Sequence, residues 1–135
     1  MKEKYDVKVY KKLVDKAKIA AESAYAPYSS FRVGSAVYTD TNNIYVGCNI
    51  ENSAYPSGVC GEDVAIFKAI SEGEKKIDVI AVACIDAKSD TAIFPCGLSR
   101  QRMAEFGVEE VVIANTDSTY KIYSFDEVLP FSFEF

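Results

Sequence analysis

Two short stretches of the chain hold residue types that can do chemistry together. The first is Cys60-Gly61-Glu62, and the second is Pro95-Cys96-Gly97-Leu98-Ser99-Arg100-Gln101. Each cysteine is predicted at a helix N-terminus after a loop, where unpaired N–H groups and the positive end of the helix dipole stabilise a thiolate. A pair of such thiolates suits a borderline-soft metal ion. The alternative, two buried cysteines acting as small hydrophobes, stays open on these residues alone. Glu62 falls in the first helical turn. There it either complements the helix dipole or takes a proton from an activated water and passes it to a departing amine. The second stretch has one cysteine where a closed C-x-x-C pair is expected, and Ser99 stands in the other position.

Composition removes other chemistries. The chain has no histidine, so Ser-His-Asp, Cys-His and imidazole metal sites are out of reach. A metal ion must then be held by thiolate, carboxylate, hydroxyl or water. Cys48 and Cys84 lie inside apolar strand runs and read as core. The formal net charge of −5 argues against a nucleic-acid surface, which needs a concentrated basic face. No run approaches the ~18 apolar residues of a membrane span. The basic start, MKEKYDVKVYKK, has no apolar segment of the kind a secretory signal carries. Four cysteines in an apolar chain of 135 residues do not amount to a disulfide scaffold, so a cytoplasmic location is expected. With tryptophan absent, 9 Tyr and 8 Phe carry all aromatic packing.

The elements that must position these residues follow from periodicity. Residues 6–24 place Val9, Leu13, Ala17, Ile19, Ala20 and Ala24 near helical spacing, which predicts an amphipathic helix ended by Pro27. Phe31–Tyr38 and Ile44–Ile50, separated by the turn Asp40–Asn43, read as a hairpin. Glu51–Val59 is a polar loop. Cys60–Glu72 is a second helix, with Val64, Ile66, Phe67 and Ile70 as its apolar contacts and Gly73 as its stop. Ile77–Ile85 is apolar throughout, as in a strand covered on both faces. A third helix spans about Cys96–Phe106 and closes at Gly107. Strands follow at Val111–Ala114 and Tyr120–Phe125, then a helical turn at Asp126–Leu129 before Pro130. This order predicts one α/β domain over residues 1–135, a mixed five-stranded sheet with helices packed on it.

In this frame the chain resembles the small, homotetrameric, zinc-dependent cytidine deaminases. The resemblance rests on AYAPYSSFRVGSA from Ala24, GCNIENSAYPSGVCGEDVAIFKAISEG from Gly47, PCGLSRQ from Pro95 with the following AEFG, and LPFSF from Leu129. It covers essentially the whole chain in register. It implies a three-layer α/β/α sandwich of the cytidine-deaminase type, and hydrolytic deamination of cytidine, deoxycytidine or a modified cytosine nucleoside to the uracil counterpart, as in pyrimidine salvage. Cys60 and Cys96 match two of the family's three zinc thiolates, Ser99 stands at the third, and Glu62 matches the proton carrier. Phe31 matches an aromatic of the base pocket. Asn49 and Glu51 match the pair that holds the ribose hydroxyls, Tyr55 a tyrosine near the sugar at a subunit junction, and Phe133 the aromatic that a neighbouring subunit lends. Gly61 is grouped with these substrate-binding positions. The expected partners are a pyrimidine nucleoside and three further copies of the chain, with neither nucleic acid nor membrane.

The family pattern breaks at two places. Ser99 offers a neutral hydroxyl where zinc has a third thiolate. Asp63 stands where the family usually has arginine, read as a donor that relieves the charge of zinc-bound sulfur. Two thiolates on Zn²⁺ sum to zero, so the need for that relief disappears with the third thiolate, and the two substitutions read as coupled. The outcomes left open are a weaker zinc site closed by Ser99 or a second water, a metal-free pocket that keeps the nucleoside contacts, and a modified site in which Asp63 takes part. The matching functions are a deaminase, a catalytically impaired or non-hydrolytic nucleoside-binding homologue, and a related hydrolase acting on a cytosine-containing antibiotic such as blasticidin S.

Overall fold

The computed structural model describes residues 3–135; Met1 and Lys2, part of the expected domain and of the basic start, lie outside the described residues. Helix α1 (Val7–Ala21) is followed by strands β1 (Val33–Thr39) and β2 (Ile44–Cys48), helix α2 (Gly61–Ser71) and strand β3 (Ile77–Cys84). Helix α3 (Gly97–Glu105), strands β4 (Glu110–Ala114) and β5 (Tyr120–Ser124), and the short helix α4 (Phe125–Val128) complete the order. One sheet runs β2-β1-β3-β4-β5. Only the β3–β4 pair is parallel; the other three pairs are antiparallel.

The all-apolar strands explain the layers, because successive side chains point to opposite faces. Ala36, Val79, Ala81, Ala83, Val112 and Ala114 face Tyr10, Leu13, Val14 and Ala17 of α1. Val37, Ile80, Val82, Val111 and Ile113 face the other way, onto Ala65 and Ile66 of α2, Met103 of α3 and Phe125 and Val128 of α4. The result is the expected three-layer α/β/α sandwich. Small residues on the α1 side draw that helix close. A Cβ on Gly34 would stand 1.9 Å from the Ala17 carbonyl oxygen.

Several boundaries differ from the sequence expectations. Helix α1 ends at Ala21 rather than Ala24, and its buried face runs through Tyr10, Leu13, Val14, Ala17 and Ala21, leaving Ile19 exposed. The early end frees Tyr25 to bridge Ile50, with Tyr25 N–H donating to the Asn49 carbonyl and Glu51 N–H to the Tyr25 carbonyl. Strand β1 begins at Val33 rather than Phe31, because side chains take the preceding N–H groups: Ser29 Oγ accepts from Phe31 and Asp86 from Arg32. Strand β2 stops at Cys48, two residues short of Ile50, where the chain turns into the bridges with Tyr25 and Val59. Strand β4 opens at Glu110 rather than Val111, and Phe125 belongs to α4 rather than β5. Phe67 of α2, expected inside, is exposed and carries the Arg102 guanidinium over its ring.

Candidate active site

The starts of α2 and α3 meet at the sheet end where β2 finishes, β1 begins and β3 finishes, for Gly34 pairs with Cys48 and Val33 with Cys84. Cys60 and Cys96 are the N-cap residues of the two helices. Their sulfurs stand 3.7 Å apart. Burial first, then the nearby Glu62 charge, pushes the Cys60 thiol up to about 12. For Cys96, burial acts to raise the pKa. The Ser99 and Leu98 backbone N–H groups and the Ser99 and Cys60 side chains outweigh it, and the thiol falls below its ordinary range. The two thiols are thus driven apart in acidity, Cys60 upward and Cys96 downward.

Glu62 is buried, and burial, with the charge of adjacent Asp63 adding to it, raises its carboxyl to about 7. It lines a cavity of about 570 Å³ together with Cys60, Cys96, Phe31, Asn49, Glu51 and Tyr55. Val33, Val59, Ile93 and Phe94 add apolar wall, and Tyr28, Ser29 and Asn52 line the cavity too. The Asn49 amide closes the strand-end loop: its Oδ1 accepts from Val33 N–H and its Nδ2 donates to the Phe31 carbonyl, both at 2.8 Å. Glu51 accepts from the Tyr28 and Ser29 N–H groups at 2.9 and 3.1 Å and from the Ser29 hydroxyl. The hydroxyl, with those N–H groups, holds its carboxyl below the usual range. Tyr28 and Tyr55 meet edge to face, ring centroids 5.7 Å apart.

Three of the sequence-predicted residues, Gly61, Phe133 and Ser99, do not line this cavity. Gly61 begins α2 beneath it, and a Cβ there would stand 3.0 Å from the Val33 carbonyl oxygen, so glycine lets the helix start close to β1. Phe133 lies on the exposed tail, with its carbonyl accepting from Gln101 Nε2 at 3.1 Å. Ser99 is fully buried behind the cysteines, its Oγ 3.6 Å from Cys96 Sγ.

Ser99 also donates to Asp63 Oδ1 at 2.9 Å, so the two positions that depart from the family pattern are in contact. Asp63 Oδ2 accepts from Cys60 N–H at 3.0 Å and from Arg102 Nη1 at 2.8 Å. Helical direction alone turns Asp63 about 100° away from Glu62, and that is how it reaches Ser99 rather than the cavity. Sequence reading passed over Arg102. Its signal was its place three residues after Ser99, on the same face of α3. Ser29 was missed as well, and nothing in its spacing distinguished it.

Among the described residues no group of three or more His, Cys, Asp or Glu side chains is arranged to hold a metal ion. The donors present are two sulfurs and a hydroxyl. Two thiolates on one tetrahedral zinc, at ~2.3 Å each, stand about 3.8 Å apart, and a sulfur and an oxygen on that ion about 3.6 Å. The observed 3.7 and 3.6 Å separations match two edges of such a tetrahedron, on a donor set one charged ligand short of a three-thiolate site.

Two N-cap cysteines and a buried glutamate thus meet at paired helix starts on one end of a three-layer α/β/α sandwich, the arrangement that the resemblance to the cytidine deaminases implies. The sequence pattern of the cytidine and deoxycytidylate deaminase zinc-binding region matches residues 7–115. A cytidine deaminase of Sporosarcina psychrophila is 40% identical over 124 residues, spanning 90% of this chain and 89% of the relative. A probable cytidine deaminase of Dictyostelium discoideum is 45% identical over 111 residues, 82% of this chain and 74% of its own. The crystal structure of cytidine deaminase from Burkholderia pseudomallei superimposes with a TM-score of 0.83 at 38% identity, covering 91% of this chain and 98% of that one. The chain belongs to the cytidine deaminase family.

Proposed function

We propose that the cavity binds a cytosine nucleoside and that the chain deaminates it hydrolytically, with turnover impaired relative to a three-thiolate enzyme. The observation that carries this reading is the convergence of Cys60, Cys96 and the buried Glu62 carboxyl on one wall of the cavity. Cys60, Cys96 and Ser99 would hold zinc, which supplies Lewis-acid activation of water. Phe31 and Phe94 offer apolar surface to the base, and Glu62 sits where it can move a proton from the attacking water to the departing amine. Asn49 and Glu51 keep spare lone pairs, and Asn49 a spare N–H, for sugar hydroxyls. Tyr55 covers the sugar end. The reading takes residues 1–135 as one domain that assembles as a homotetramer in the cytoplasm, with Phe133 reaching a neighbour's cavity. No helix among the described residues is long and apolar enough to cross a membrane.

A second reading, a metal-free nucleoside-binding homologue, is favoured by one observation: among the described residues no three His, Cys, Asp or Glu side chains are arranged to hold a metal ion. Zinc content and turnover separate the two. Protein purified without chelator should carry close to one zinc per chain, and ultraviolet absorbance should report slow loss of cytidine, deoxycytidine or blasticidin S. Protein that stays free of zinc after supplementation at neutral pH, still binds cytidine and consumes none of the three is the metal-free homologue.

A further inference from the structure

We propose that Asp63 and Arg102 are positioning residues that make Ser99 the third donor of the cation site, by taking the proton of its hydroxyl and leaving its oxygen lone pairs for the ion. This rests on the zinc reading above and extends it to two residues that touch neither cavity nor substrate.

A serine hydroxyl has one proton and two lone pairs. A buried serine near a helix start ordinarily spends its proton on a backbone carbonyl or another nearby acceptor. Ser99 spends it on Asp63 Oδ1, at 2.9 Å in a fully buried contact. Asp63 has no freedom to turn away. Its other oxygen is pinned by the Cys60 N–H of its own helix and by Arg102 of the neighbouring one. Arg102 is in turn seated on the Phe67 ring, 5.5 Å from its centroid. The hydroxyl proton thus points at a fixed carboxylate, while the oxygen stands 3.6 Å from Cys96 Sγ.

Charge explains why this arrangement needs both partners. An ionised carboxylate accepting from a ligand's O–H makes that oxygen a stronger donor. A lone buried carboxylate would be costly, and Arg102 compensates its charge. The Asp63–Arg102 pair is neutral as a unit, so it strengthens the oxygen without adding net charge to the two sulfurs and Glu62. A mere clip between α2 and α3 could use the same contacts, and the test must tell the two apart.

The test is a double-mutant cycle on zinc affinity, read by competition with a chromophoric chelator, together with the absorption spectrum of the cobalt(II)-loaded protein. Ser99→Ala should weaken zinc ~10–100-fold and change the cobalt spectrum, as expected for loss of a ligand or its partner. Asp63→Asn should weaken zinc in the Ser99 protein but add little in the Ser99→Ala background, because no hydroxyl is left to position. Arg102→Met, reached from the surface, should give a smaller loss that also vanishes in that background, and it serves as the second route if Asp63→Asn fails to fold. Additive losses, or a Ser99→Ala protein with unchanged affinity and spectrum, would overturn the proposal while leaving a zinc deaminase intact. A cycle as expected in a protein that turns over no nucleoside supports the positioning role and sinks the deaminase reading. Failure of the unmodified protein to bind zinc or cobalt overturns both.

Discussion

Glu62 is the residue on which chemistry and burial meet. An amide in its place keeps the shape and can still hydrogen-bond a base, but it cannot carry a proton. Glu62→Gln is therefore expected to lower turnover ~10²–10⁴-fold while zinc content and nucleoside affinity stay close to those of the parent. Single-turnover rates beside calorimetric binding will check this, and equal rates would remove Glu62 from the mechanism. Ser99→Cys should tighten zinc, measured by chelator competition, yet it sets a third negative sulfur against Asp63, which loses its proton donor. Adding Asp63→Arg to restore the family pattern would then place two guanidinium groups together, because Arg102 stands 2.8 Å from the Asp63 carboxylate. The tight site should return fully only when Arg102 is also made neutral. A double variant as tight as the triple would refute that charge argument.

Among the elements, α1 is tied to β4 through a single polar contact in an apolar layer. The Tyr10 hydroxyl donates to Glu110 Oε1 at 2.7 Å and accepts from the Lys4 and Tyr5 N–H groups. Glu110 Oε2 is buried with no partner among the described residues. Removing the hydroxyl strands the rest of that carboxylate, so Tyr10→Phe should cost about 1–3 kcal/mol in urea unfolding. Burial first, and the bond to Glu110 next, push the Tyr10 phenol up to about 12. Because the folded value lies above the unfolded one, near 10, this stability is complete below pH 10 and is lost as the pH rises toward 12. The stability gap between parent and Tyr10→Phe should narrow over that interval. A gap that stays constant would place the phenol's titration elsewhere.

At the scale of the whole molecule, apolar surface is left without a partner. Leu98, Phe131, Phe133, Phe135 and Tyr55 are all mostly exposed, and exposed aromatic patches mark association surfaces. The C-terminal segment is tied to α3, where Arg100 donates to the Val128 carbonyl and Gln101 to that of Phe133. Light scattering at micromolar concentration is expected to give the mass of four chains. Phe133→Ala should then weaken cytidine binding while moving single-chain stability by less than ~0.5 kcal/mol, as for an exposed site. A monomer with undiminished cytidine affinity would refute the shared cavity.

The sheet, its covering helices and the two cysteine N-caps were legible in the sequence because each follows from local rules. Apolar runs of strand length define buried strands, period-3.6 patterns define helices, and loops that end in cysteine define where those helices begin. Asn49 and Glu51 of CNIEN, Cys60 of VCGE and Cys96 of PCGLSRQ are assigned to one site by their resemblance to the cytidine deaminases rather than by spacing, since Cys60 and Cys96 stand 36 residues apart. Three features depended on the tertiary structure. The buried face of α1 includes Tyr10, whose hydroxyl meets Glu110, 100 residues away in the chain. Phe67 lies outside, with the Arg102 guanidinium of α3 over its ring. The contact of Asp63 with Ser99 exists only because α2 and α3 start side by side, bringing residues 36 apart in the chain to 2.9 Å. Periodicity specifies which residues can share a face; long-range packing decides which buried polar groups meet, because each must find a partner once water is gone.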